Sequence, residues 1–169
     1  MKTELIEKYK FQLKTSSDQE LKMPDACGAS FWEWFEAKSR FYTSEKIRKQ
    51  LLETSIPIQD NFCFKNTYRI SKAFVKRLYF SEGFSYKKNT DTCLRHAFNV
   101  CKNDRVVDYS LLSKTTNWQD VYIGVMIPLS FARMIYFKKE DYKHSQYSLL
   151  VPYYLYKTEN SDYLQYAEL

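Results

Sequence analysis

The sequence predicts a single α+β domain, on three observations. Apolar residues recur at helical spacing through residues 1–55. Near Pro57 the pattern changes to one more helix and then to short β-rich runs. At 169 residues, the chain has the length of one domain with one core. Hydrophobic residues make up 44% and aromatics 18%, chiefly 15 Tyr and 12 Phe, so that core needs no disulfide or metal to hold it. With 3 Gly and 4 Pro the composition is not that of a loop-rich or disordered chain. Residues 1–57 read as a helical N-terminal elaboration, and residues 58–169 as the rest of one compact domain.

The elements follow in order. Glu4 to Leu13 is amphipathic, and TSSDQELKMPDACGAS then supplies turn residues. FWEWFEAKSRFY places Phe31, Trp34, Phe35 and Lys38 on one side of a helix, with Phe41 and Tyr42 continuing it. Thr43 or Ser44 can cap a further helix over TSEKIRKQLLETS, where Ile47 and Leu51 repeat at i, i+4 and Pro57 lies beyond the end. Cys63, Thr67, Ile70, Phe74 and Leu78 recur at spacings that put all five on one helical face. LYFSEGF reads as a strand ending at Gly83, and SYKKNTDT as a polar loop. HAFNV and RVVDYS are two strands joined by a turn at Asn103-Asp104. VYIGVMIP is a fourth strand stopped by Pro128, LSFARMIYF is helical, and SLLVPYYLY fits strand or irregular structure.

Composition narrows the partners. The net charge of +6 comes from 26 basic residues interleaved with 20 acids, without a dense basic block. That is the pattern of a solvated basic surface, with a nucleic-acid partner as the weaker expectation. No apolar run approaches the roughly 18 residues that span a bilayer, and the opening MKTELIEKYKFQLK lacks the apolar core of a signal peptide. No membrane association and a cytoplasmic location are therefore expected. The four cysteines, Cys27, Cys63, Cys93 and Cys101, are expected to be reduced thiols.

Their positions raise a chemical question, because one of only two histidines, His96, lies in CLRHAFNVCKNDRVVD twelve residues before Asp108. A thiol opening a helix feels the positive end of the helix dipole, which favours thiolate. An adjacent imidazole stabilises that thiolate and carries protons, and a carboxylate on a neighbouring strand fixes the ring's tautomer. Strands about 4.8 Å apart let a His and an Asp meet across a hairpin. Backbone N–H groups at the helix start would stabilise an oxyanion. Gln59 and Asn61, upstream of Cys63, are candidate oxyanion donors, and Asn66, one turn beyond it, is a structural or positioning candidate. Glu82 reads as a structural or substrate-contacting acid, and His144 as a surface residue.

The ordered elements CFKNT, YFSEGF, HAF, VVDYS and YIGV, spanning residues 58–128, resemble the core of the transglutaminase-like branch of the papain-type cysteine enzymes. They are also similar to small bacterial and phage proteins that carry the run CYxNA, EG, HAW, VxD and YxGV. The resemblance implies a Cys-led helix packed on an antiparallel sheet. It also implies Cys63 as nucleophile, His96 as general base and acid, and Asp108 as the orienting carboxylate. Phe98 stands where the pattern has Trp, and Tyr109-Ser110 where it has Pro-Thr. Gly83 and Gly124 fall where the pattern has glycine and imply close backbone approach.

A competing pattern, Cys93, His96 and Cys101 as C-x-x-H-x-x-x-x-C, offers three ligands without a suitably spaced fourth, and strand alternation points Cys101 away from His96. Neither metal nor cofactor is expected. The resulting expectation is a cysteine-dependent acyl-transfer enzyme acting on an amide-type bond of a protein or peptide. Hydrolysis, deamidation and transamidation are not separable from the sequence. The alternative is a non-catalytic interaction module on the same fold, recognising a protein or nucleic acid, which an exposed aromatic patch over residues 31–42 would favour.

Overall fold

The computed structural model describes residues 1–15, 28–43, 56–58, 62–109, 120–138 and 150–160. It is a mixed α+β structure with an antiparallel sheet. In chain order the described elements are α1 Lys2–Thr15, α2 Ala29–Lys38, β1 Arg40–Thr43, α3 Cys63–Ala73, β2 Leu78–Lys87, β3 Thr92–Cys101, β4 Val106–Val107, β5 Val121–Ile127, α4 Leu129–Lys138 and α5 Leu150–Asn160. The sheet order is β1-β5-β2-β3-β4. Among the described residues no helix is long and apolar enough to cross a membrane.

Period-4 spacing buries one face of α1, with Leu5 and Tyr9 in line and Ile6 beside them. Tyr9 stacks on Phe84 of β2 at 4.3 Å between ring centroids. Phe31, Trp34 and Phe35 of α2 join the same cluster, where Phe31 meets Tyr153 and Tyr156 of α5 edge-on. Trp34 Nε1 donates to Glu159 Oε2 at 2.8 Å, and Lys38 pairs with the same oxygen at 3.0 Å. These rings are therefore core, and residues 31–35 offer no exposed aromatic patch.

Several elements differ from the sequence expectation, each for a visible reason. Helix α2 does not continue through Phe41 and Tyr42. Ser39 turns extended, its N–H closing on Phe35 O at 2.8 Å, and Arg40–Thr43 becomes an edge strand paired with β5. The N-terminal half thus contributes a strand as well as helices. Helix α3 stops at Ala73, because Arg77 and Leu78 N–H both turn back to Phe74 O and Leu78 pairs with Cys101. Strand β2 runs past Gly83 to Lys87, since β3 and β5 pair with it on both sides through Tyr86. The polar loop shrinks to 88–91, where Asp91 adopts φ 53°, a left-handed conformation that Asp tolerates better than most residues. Residues 150–156 are helical, with Pro152 in the first turn of α5, where its missing N–H costs no helical bond. The helix expected over 43–55 lies outside the described residues apart from Thr43, which ends β1.

Candidate functional site

Strand alternation divides β3 into two sets. Cys93, Ala97 and Asn99 face the helices, while His96, Phe98 and Val100 face the other way. Asn99 Nδ2 donates to Thr67 O at 3.1 Å and Ser71 Oγ at 2.7 Å, which pins the middle of α3 to β3. Strand β4 pairs with Asn99 and Val100, so among the described residues no strand pairs with β3 at His96 on that side. Cys63, the first residue of α3, lies close enough to the imidazole for its sulfur to favour the charged ring by hydrogen bond and charge.

Asp108 follows Val107, whose side chain packs with Ile70 of α3, so alternation returns Asp108 to the His96 side. His96 Nε2 lies 2.5 Å from Asp108 Oδ2, and the pair is buried, with relative exposures of 7% and 1%. With Nε2 committed to the carboxylate, Nδ1 is the ring nitrogen left for the thiol. Tyr122 of β5 donates its O–H to the same Oδ2 at 2.9 Å. Its ring lies 5.9 Å from the imidazole and 5.1 Å from Phe98 between centroids.

Glycine makes this crossing of the sheet feasible. Tyr122 reaches from β5 over β2 to β3, and the β2 residue opposite His96 is Gly83, itself paired with Gly124. A Cβ on Gly83 would lie 1.9 Å from Ile123 O, and one on Gly124 would lie 2.9 Å from Phe98 Cζ. Only a bare backbone fits at either point.

Burial works against a charged His96. The Asp108 carboxylate, by charge and hydrogen bond, and then the Cys63 thiol overcome that penalty and raise the ring to about 10. His96 is therefore an imidazolium at neutral pH. Burial and the neighbouring Asp108 charge push the Tyr122 phenol well above its ordinary range, so it remains a donor. Cys63 is partly exposed as the first residue of α3, whose first intrahelical bond runs from Asn66 N–H to Phe62 O at 2.9 Å. The N–H groups ahead of Asn66 have no acceptor within the helix and crowd the end that carries the thiol. That arrangement suits attack on a carbonyl and stabilisation of the resulting oxyanion.

The structure thus brings Cys63, His96 and Asp108 together. Asn66 is fully buried one turn from Cys63. Gln59 and Asn61 lie outside the described residues, as do Cys27 and His144. Glu82 is fully buried but belongs to the face of Phe80 and Phe84, opposite His96. Cys93, His96 and Cys101 do not converge, because both cysteines alternate away from the imidazole. Tyr122 is not among the residues that the sequence singles out. Its signal was present in YIGV, where a tyrosine two residues before a glycine lies on the same strand face. No protein-family model matches this chain, and neither curated proteins nor solved structures gave a match.

Proposed function

We propose that this chain is a cysteine-dependent acyl-transfer enzyme with a transglutaminase-like core, acting on an amide-type bond of a protein or peptide. One observation supports this above others: a buried imidazole hydrogen-bonded to a carboxylate, with the partly exposed thiol that opens a helix close by. An imidazole beside the sulfur and the N–H groups at the head of the helix are the two partners that an attacking cysteine uses.

In the reaction, the thiolate sulfur bonds to the carbonyl carbon, and the carbonyl electron pair moves to oxygen, facing the N–H groups of the first turn of α3. Collapse breaks the C–N bond while His96 gives its proton to the departing nitrogen, leaving a thioester and a neutral imidazole. Water or a second amine then attacks; His96 takes its proton, the C–S bond breaks, and thiolate and imidazolium return. Asp108 holds the ring throughout in the orientation that presents Nδ1 to sulfur.

Alkylation tests this without knowledge of the substrate. At pH 6, iodoacetamide followed by mass spectrometry is expected to label Cys63 ahead of Cys27, Cys93 and Cys101, and His96→Ala should abolish the preference. Equal reaction of the four cysteines in the folded protein, or slowest reaction at Cys63, would overturn the assignment in favour of a non-catalytic interaction module.

A further inference from the structure

Asp108 Oδ2 accepts from two donors of different kinds. His96 Nε2 approaches at 2.5 Å and the Tyr122 hydroxyl at 2.9 Å, and neither donor is solvent-exposed. Two donors on one oxygen weaken each other, because each withdraws electron density that the other needs. Resting on the acyl-transfer reading above, we propose that Tyr122 is a positioning residue of the site: its hydroxyl locks the Asp108 carboxylate in place and limits how strongly that carboxylate retains the imidazole proton.

The chemistry gives this a purpose. A general acid is most effective when its proton is not held far more tightly than the working pH requires. Among the described residues, the titratable groups facing His96 are Cys63 from α3, Asp108 after β4 and Tyr122 from β5, while β2 places Gly83 opposite it. Both titratable neighbours other than Tyr122 favour the charged ring. Tyr122 counters them through the oxygen it shares. Its ring also fixes the imidazole plane from one side, with Phe98 stacked beside it at 6.3 Å. This accounts for the YIGV motif as a unit, since Tyr122 supplies the donor and Gly124 leaves room for Phe98.

The test is ¹⁵N and ¹H NMR of histidine side chains in the full chain, which has two rings; His144→Gln leaves one and assigns it. Tyr122→Phe removes one oxygen atom from a packed ring. It is expected to move the His96 Nε2 proton resonance downfield and to raise the ring's titration midpoint by roughly half a pH unit, the scale of one net hydrogen bond. In an Asp108→Asn background the same Tyr122→Phe change should leave the His96 resonances unmoved, because the route through the carboxylate is gone. A role in packing alone would shift both backgrounds alike. An unmoved or upfield resonance in the Tyr122→Phe protein, or equal shifts in both backgrounds, overturns the proposal. These readouts do not require a reactive thiol. An inert Cys63 with the stated NMR response would refute the enzyme and keep the Tyr122 coupling, and a reactive Cys63 without it would do the reverse.

Discussion

Cys93 and His96 stand three residues apart on β3, on opposite faces, and burial acts on them with opposite outcomes. Cys93 faces the aromatic core beneath α1, where the Lys8 charge is too weak to offset burial. Burial first, with the Asp91 charge adding and Lys8 opposing, pushes its thiol up to about 12 and keeps it neutral. His96 is buried as deeply, yet Asp108 and Cys63 keep it charged. Desolvation alone silences a titratable group, whereas desolvation with a fixed counter-charge keeps it charged. The helix-packed face of the sheet is held by rings, and the other face sets a chain of polar contacts beside a smaller ring cluster.

If the faces are independent in this way, damage to the first should leave the second working. Phe84→Ala removes the ring stacked between Tyr9 and Phe35. It should cost about 3–5 kcal/mol in a denaturant melt. Below the transition, Cys63 should still be labelled first at pH 6; loss of that preference in the folded variant would break the comparison.

Asn99 is the exception that joins the faces, because it lies on the helix side yet fixes the helix that carries Cys63. Asn99→Ala should cost less, about 1–3 kcal/mol for the unmet buried partners. Unlike Phe84→Ala, it should also reduce the labelling preference of Cys63, since α3 loses its register on β3. Unchanged labelling would show that the first turn of α3 is held some other way.

The smallest effect per step is in pH. A ring raised from about 6.5 to about 10 stabilises the fold fully below 6.5, and that share is lost as pH rises toward 10, by up to about 1.4 kcal/mol per pH unit. The sign follows from proton counts, because in that window the folded chain holds a proton that the unfolded chain has released. Cys63→Ala should show the decline from about pH 6.5 upward. Adding Asp108→Asn to Cys63→Ala removes the charge that most favours the protonated ring, and should flatten that decline. Urea midpoints of both proteins from pH 6 to 10 read this directly. Equal declines in the two proteins would mean that Asp108 does not hold the ring's proton.

Much of the fold was legible because its signals are local. The buried faces of α1 and α2, the start of α3 and the runs that became β3, β4 and β5 follow from apolar periodicity over a few residues. The errors fell where a partner distant in sequence overrode a local pattern. Arg40–Thr43 reads as a continuation of an aromatic helix until β5 offers it an edge, and Ser85–Lys87 reads as loop until flanking strands pair with it. The order of Cys63, His96 and Asp108 along the elements was readable. Tyr122 was not, since nothing in a strand's own sequence says which carboxylate lies two strands away.

By itself the sequence determined the α+β class, the aromatic core and the placing of a thiol at the head of a helix, because each depends on spacings of two to four residues. The tertiary structure alone decided the convergence. Sheet order sets Tyr122 across a paired Gly83 and Gly124, and the packing of α3 on β3 brings Cys63 close to His96. These depend on pairings between residues far apart in the chain, chosen by the packing of the whole sheet rather than by any segment's own preference.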